Sequence, residues 1–470
     1  MEEKENIIFS NVEINPSKAY LLYIGNINFA ETSNYLIERL ERKYNKKVEL
    51  IKVLPNLPHN DYRDNIIIVN EKIMKDEKYS KLIERYLSEK SPYNPVFHIH
   101  QGQINEQASK NKYVKKIAED ILANQDELYV NTFNTDRMSL QKKYEEVKLI
   151  GPDPEVFSYF NNRLNQRESI EKTKIPIPYG FSVRSMDELI GIYKKKFKNN
   201  YDGKAFVSSK TSYGGTGCVK VSALDDILKS EKLIKKNEFV ISEFLDVQNS
   251  PCSFGIVVDE EKTIFVNSAD QVMDGFKYNG TIFPSCTSEK NKKNMENYTY
   301  EIGNILGKKG FRGFFGVDFV VDDKDKLYFV EINPRKVGSV LMSMNAHKIK
   351  NPNKVSLQEM EFLATNGKKM YKSIDNFKIP DDLCWGIMKI RTNKGNLLEE
   401  KLESYINEVS ASFYAGKNAL FLNSRDNIAE IYMMEKCKKY SRERILELLN
   451  DNKKTIEKHV PKHDINNFLI

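Results

Sequence analysis

The chain has 470 residues, 40% of them hydrophobic and 30% charged, a balance ordinary for a globular enzyme. A single core rarely grows beyond roughly 250–300 residues, so two or three domains are expected. With 73 basic and 66 acidic side chains the net charge is +7; this is too mild for a nucleic-acid signature and leaves phosphate-bearing ligands or an acidic partner as the groups to be matched.

Residues 1–17 begin MEEKENIIFS, an acidic stretch without an apolar h-region, which reads as a loose leader and not as a secretory signal. Tyr20–Ile24 is an apolar strand, Gly25-Asn26 a turn, and Tyr35, Leu36 and Leu40 lie at helical spacing. Strands are expected at 48–54, 65–70 and 95–102, with charged helical stretches at 71–89 and 107–125. Strands alternating with helices predict a parallel α/β sheet over 18–150, closed by Leu149-Ile-Gly-Pro-Asp-Pro. A second domain, 151–345, opens with a helix over 155–172 and the turn Ile175-Pro-Ile-Pro-Tyr-Gly, then carries short strands through 204–333. Residues 346–470 form a C-terminal extension with a small αβ unit at 384–433, including GKNALFL (416–422), and a charged tail. In that tail Lys436, Lys438, Lys439, Arg442 and Arg444 either dock an acidic carrier protein or line a solvated helix face.

Cys218, Cys252, Cys286, Cys384 and Cys437 are scattered and contain no CxxC pair, so free thiols are expected in place of a disulfide framework or structural zinc site. No window approaches the roughly 18 apolar residues of a membrane helix, and a cytoplasmic location is expected. His98 and His100 share one face of the expected 95–102 strand; they read as structural or surface histidines or, with a third ligand, as a metal pair.

Two segments carry chemistry. In the first, an apolar strand from Ala205 ends at Lys210, a glycine-rich turn follows with Gly214, Gly215 and Gly217, and a second apolar strand begins at Cys218. Glycines let backbone amides approach an anion without Cβ obstruction, and Lys210 can reach a phosphate as a point charge. No GK[ST] follows, so this is not a Walker loop; a plain hairpin remains the alternative.

In the second segment, Gly316-Val-Asp318-Phe-Val-Val-Asp-Asp-Lys-Asp-Lys-Leu-Tyr-Phe-Val-Glu331-Ile-Asn333-Pro-Arg335, two alternating runs flank a polar turn. A four-residue loop closed by Asp322 and Leu327 pairs Phe319 with Val330 and sets Asp318 opposite Glu331, with Asn333 on the same face. Two carboxylates directly opposite repel unless a cation lies between them, and an all-oxygen set suits Mg2+ or Mn2+. Arg335 follows, a planar fork suited to a transferring phosphoryl group or an acyl-phosphate. Asp322, Asp323 and Asp325 read as turn acids.

These residues resemble the ATP-grasp superfamily, over about 163–340 and, more loosely, over the N-terminal domain. The resemblance implies an N-terminal pre-ATP-grasp domain, an α+β ATP-grasp core, ATP as substrate and Mg2+ (or Mn2+) held by Asp318, Glu331 and Asn333. Lys210 and the flap glycines would contact the phosphates. Arg163 stands where the family more often has lysine, and Phe239-Val-Ile-Ser-Glu243-Phe244-Leu245 matches the adenine-binding hinge. Gln248 and Asn249 lie where the ribose-binding acid is usual. Arg335 maps onto the substrate-phosphate arginine.

Within the superfamily, Gly25-Asn26 and the long extension after Glu331-Ile-Asn-Pro-Arg are similar to peptide ligases of natural-product pathways, of the pheganomycin or butirosin carrier-protein type. The resemblance implies that a substrate carboxylate, of an amino acid or peptide, becomes an acyl-phosphate that an amine attacks. The alternatives are a carrier-protein thiol as acceptor, a phosphotransferase acting on a hydroxyl, or a nucleotide-binding regulator without turnover. No Ser–His–Asp or Cys–His set competes with this reading. Residues 270–284, including Tyr278, read as a substrate-facing loop or as an ordinary β-connection. Gly338 and Ser339 are further substrate candidates, although the Ser339 hydroxyl could instead cap the following helix. A homodimer is compatible with the resemblance.

Overall fold

The computed structural model describes residues 7–56, 64–71, 81, 99–211, 215, 217–234, 236–367, 383–391, 419–425, 428–436, 447 and 450. They form two compact units: the residues up to Pro154 together with those from Arg335 onward, and Glu155–Pro334. The architecture is mixed α/β, as expected.

The first unit contains strands β1 (Phe9–Ser10), β2 (Ala19–Ile24), β3 (Val48–Leu54), β4 (Ile66–Ile68), β5 (Leu128–Thr132) and β6 (Val147–Ile150), in the order β1-β4-β3-β2-β5-β6. β2 to β6 pair in parallel. β1 is an antiparallel edge on β4, so part of the expected loose leader is ordered strand. Helices α1 (Asn34–Tyr44), α2 (Gln101–Lys110) and α3 (Lys112–Leu122) belong to this unit. Tyr20, Leu22 and Ile24 pack with Ile104, Val114 and Ile117 of α2 and α3, while Ala19 and Leu21 pack with Leu36 and Leu40 of α1. A parallel sheet covered on both faces requires apolar residues at successive positions, which is why 19–24 reads as one unbroken run.

Residues 95–98 of the expected 95–102 strand lie outside the described residues, as does most of the 71–89 stretch. Ile99 and His100 are not strand; they lead into α2, where the Gln103 side chain accepts the His100 N–H at 3.2 Å. The stretch 107–125 contains a break at Asn111, whose side chain caps α3 by accepting from the Val114 amide at 3.1 Å.

The second unit contains α4 (Arg163–Ile170) and a four-stranded antiparallel sheet of β7 (Gly180–Val183), β8 (Ala205–Ser209), β9 (Cys218–Val221) and β10 (Phe239–Glu243), ordered β7-β10-β8-β9. The 155–172 helix is divided at Asn162, whose side chain accepts the Leu164 amide at 2.9 Å and so starts α4 at Arg163. A further antiparallel sheet contains β11 (Val247–Asn249), β12 (Pro251–Val257), β13 (Thr263–Asp274), β14 (Lys277–Phe283), β15 (Gly313–Asp322) and β16 (Leu327–Asn333). Its order is β16-β15-β12-β13-β14, with β11 beside the end of β15. Helix α5 (Glu289–Lys308) contributes Met295, Ile302 and Leu306 to a core with Phe315, Val317, Phe319 and Val321. Alternate residues of β15 thus enter this core, and the period of two puts Asp318 on the opposite face.

After Arg335 the first unit continues with α6 (Val340–Lys350), α7 (Leu357–Thr365) and antiparallel strands β17 (Leu383–Arg391), β18 (Ala419–Arg425) and β19 (Ile428–Lys436). Residues 392–418 of the expected αβ unit, and Lys438, Lys439, Arg442 and Arg444 of the tail, lie outside the described residues. Cys218, Cys252 and Cys286 are free thiols, but Cys384 is disulfide-bonded, which corrects the all-thiol expectation. Among the described residues no helix is long and apolar enough to cross a membrane.

Candidate active site

β15 and β16 bring the carboxylates together as expected, with Gly316 opposite Asn333 and Asp318 opposite Glu331. The route differs. Leu327 pairs with Val321 and Phe329 with Phe319, and the register shifts between Asp318 and Phe319. The Asp322 amide donates to the Lys326 carbonyl at 3.1 Å. The loop is therefore one residue shorter than expected, with Asp325 at φ 57° as its left-handed residue. The extra residue reappears as a bulge at Val330, and the two offsets cancel. Asp322 is more than an incidental turn acid, since its Oδ1 accepts the amides of Lys324 (2.9 Å) and Lys326 (2.8 Å).

Asp318 accepts from Gln271 Nε2 at 2.9 Å on one oxygen and from Asn333 Nδ2 at 3.0 Å on the other. The Asn333 amide thus turns its nitrogen toward Asp318. Two carboxylates and one amide oxygen form a hard, all-oxygen donor set that fits Mg2+ or Mn2+ and lacks the soft ligands zinc prefers. The Cys252 thiol, opposite Asp318 in the sheet, is pushed well above its ordinary pKa by burial and by the charges of Asp318 and Asp270.

Arg163 forms an ion pair with Glu331, and its Nη1 donates to the Ser209 carbonyl at 3.1 Å. Burial opposes the guanidinium charge, but Glu331 and the surrounding negative groups outweigh it, and the pKa is raised. Gln166, one turn along α4, clasps β16: it donates to the Ile332 carbonyl at 2.7 Å and accepts its amide at 2.9 Å. The proline-rich turn joins the same strand, the Phe329 amide donating to the Pro176 carbonyl at 2.8 Å. Lys210, just beyond β8, pairs with Glu238 across the ladder.

Gly214 lies outside the described residues; Gly215 and Gly217 lie within them. Gly215 has φ +79°, and a Cβ there would sit 2.0 Å from the Phe276 carbonyl oxygen. The flap therefore needs glycine at this position, both for conformation and for its close approach to the β13–β14 turn. At the end of β10, Glu243 Oε1 accepts the Tyr179 amide at 2.8 Å, and the Glu243 amide donates to the Tyr179 carbonyl at 2.8 Å. Phe244 follows, with Lys220 Nζ 4.2 Å from its ring centroid, and Leu245 continues out of the strand. The 270–284 segment is a β-hairpin and not an open loop; within it the Tyr278 hydroxyl lies 2.7 Å from Thr281 Oγ1.

In the other unit, Arg335 places its guanidinium 5.1 Å from the Phe133 ring centroid and donates from Nη1 to the Lys336 carbonyl at 3.0 Å. Gly338 lies in the turn before α6. Ser339 is buried and makes no side-chain capping bond to the helix. Gln166, Gln271, Glu238 and Lys336 are the positions that sequence reasoning missed, since no local spacing marks them. His98 lies outside the described residues, and His100 stands at the start of α2, not in a strand.

Over 100 residues the chain is 37% identical to the L-propargylglycine–L-glutamate ligase of Streptantibioticus cattleyicolor, a match spanning 21% of this chain and 20% of that protein. It is 20% identical over 206 residues to the butirosin acyl-carrier protein–L-glutamate ligase of Niallia circulans, spanning 42% of this chain and 48% of that one. The matches thus span less than half the length of each of these two relatives. The solved N5-carboxyaminoimidazole synthetase from Staphylococcus aureus complexed with ADP shares the fold, with a TM-score of 0.55, 15% identity and coverage of 95% of this chain and 99% of that one. The family model of the ATP-grasp domain matches residues 160–339, and that segment of the chain is an ATP-grasp domain.

Proposed function

We propose that this protein is an ATP- and Mg2+-dependent ligase that joins a carboxylate to an amine. The observation that carries the reading is the pairing of Asp318 with Glu331, with Asn333 on the same face and Arg163 bonded to Glu331. A divalent cation held by Asp318, Glu331 and Asn333 would supply charge neutralisation for the triphosphate. Lys210, Arg163 and the amides of Gly214, Gly215 and Gly217 position the phosphates; Glu243, Phe244 and Leu245 receive the adenine edge. A substrate carboxylate oxygen attacks the γ-phosphorus and ADP leaves. The amine then attacks the acyl carbon, phosphate departs, and the amine proton passes to solvent.

Arg335 is proposed to hold the transferring phosphoryl group, and Tyr278, Gly338 and Ser339 to face the substrate. Phosphoryl transfer needs positioning and charge more than a protein nucleophile, which suits this inventory. Both relatives are named as L-glutamate ligases, which makes L-glutamate the first amino acid to try as a substrate. The second name also favours testing a carrier-protein thiol as acceptor.

The test is incubation with MgATP and pooled amino acids, L-glutamate included, followed by mass spectrometry and phosphate assay. Ligation gives free phosphate and a new amide mass. A phosphorylated hydroxyl product would replace the ligase by a kinase, and tight ATP binding with neither product would replace it by a nucleotide-binding regulator.

A further inference from the structure

We infer that Lys336 and Glu361 form a buried electrostatic anchor that positions Arg335, an inference that rests on the role proposed for Arg335 above. Lys336 is 2% exposed and Glu361 1%. The Lys336 ammonium lies 2.6 Å from Glu361 Oε2 and also donates to Asn131 Oδ1 at 3.2 Å and the Thr132 carbonyl at 3.0 Å, so all three of its donors are engaged. The shell continues inward. Asn131 Nδ2 donates to Thr32 Oγ1 (3.0 Å) and Ser33 Oγ (2.8 Å), and Gln358 Nε2 donates to Glu361 Oε2 (2.7 Å). Thr32, Ser33, Asn131 and Gln358 are fully buried.

Burying a charge pair this completely is a poor way to gain stability, because desolvation offsets most of the attraction and an apolar pair of similar volume does as well or better. What the pair does supply is direction. Three acceptors at fixed positions, on the end of β5 and on α7, allow the segment after Pro334 a single seating. Two supports of Arg335 depend on that seating: the carbonyl it bonds belongs to Lys336, and the ring beneath it, Phe133, follows the Thr132 carbonyl that Lys336 grips. Lys336 and Glu361 are thus positioning residues, acting through Arg335 and not on substrate.

The test compares wild type with Lys336→Met/Glu361→Leu, which replaces the charge pair by an apolar one. The expected result is an unfolding midpoint equal to or above wild type, faster hydrogen exchange over residues 335–339, and kcat for ADP release with MgATP and pooled amino acids lowered about 100-fold, with the KM for ATP nearly unchanged. A purely structural pair would give wild-type kcat in the stable double variant, and that outcome, or unchanged exchange at 335–339, overturns the anchor. Should the double variant be unstable, Lys336→Met assayed well below its own midpoint carries the same comparison. A wild-type chain without turnover would count against the ligase reading alone, since the exchange measurement still decides the anchor.

Discussion

Glu331 meets two demands at once. Its side chain is 21% exposed and that of Arg163 11%, so each is the other's main compensation in a partly desolvated place. Glu331→Ala is expected to abolish turnover and to deprive the Arg163 guanidinium of its ion-pair partner, lowering stability by about 2 kcal/mol, less than for a fully buried pair because water still reaches both groups. Phosphate release and thermal unfolding measure the two effects, and wild-type turnover in the variant would remove Glu331 from the metal set. His347 offers a separate test at this scale. It is 1% exposed in α6, and burial, with Lys354 and Lys348 adding to it, pushes its pKa down to about 4. Between pH 6.5 and 4 the unfolded chain therefore binds a proton that the folded chain refuses, and folding loses about 3 kcal/mol as pH falls through that window. Subtracting the stability–pH curve of His347→Leu from that of wild type isolates this loss; a flat difference would place the imidazole in a more polar setting. At the residue scale the sequence was readable where partners are local. Asp318, Glu331 and Asn333 stood out through alternation around one turn. Gln271 bonds a residue 47 positions away and Gln166 one 166 away, and no spacing pattern encodes such contacts.

Elements were legible in proportion to how much of their stability is local. The hairpin was placed because its apolar faces repeat with a period of two, yet its loop length was misjudged. What fixes the loop is side-chain bonding: Asp322 gathers the amides of Lys324 and Lys326, and Asp325 accepts from Asn291 Nδ2 at 2.8 Å and Ser288 Oγ at 2.9 Å, tying the turn to α5. The same reasoning explains the helices read too long over 107–125 and 155–172. Asn111 and Asn162 each interrupt a helical pattern by capping the next segment, a choice composition alone does not reveal. The flap is the element whose sequence requirement is strictest. Gly215→Ala would force a side chain into a left-handed conformation and against the Phe276 carbonyl, together worth about 2 kcal/mol of displacement of the flap. ATP affinity is expected to fall at least about tenfold, since 1.4 kcal/mol is a factor of ten, while the unfolding midpoint moves little because the strain is confined to one turn. Titration with a fluorescent ATP analogue measures this, and unaltered affinity would mean that the flap takes no part in holding phosphate.

At the scale of the molecule, the two units have separate cores: Tyr20, Leu22, Ile24 and their neighbours in one, Phe315, Val317, Phe319 and theirs in the other. The parallel sheet was legible because its strands are continuous apolar runs between helices, whereas β1, two residues long, offers no period to read. Separate cores favour separable unfolding transitions in calorimetry. The flap, the hinge, Lys210, Arg163 and the carboxylate pair all belong to Glu155–Pro334, so MgATP should stabilise the transition of that unit. A ligand at one hundred times its Kd adds about 2.7 kcal/mol to the state that binds it. Because the triphosphate and the Asp318–Glu331 pair are both negative, the gain depends on the cation between them. With EDTA in place of Mg2+ the same ATP concentration should give a far smaller shift, and Glu331→Gln should give a small shift even with Mg2+. Equal stabilisation with and without Mg2+ would show that nucleotide binds independently of the carboxylates, and the metal site would have to be sought elsewhere.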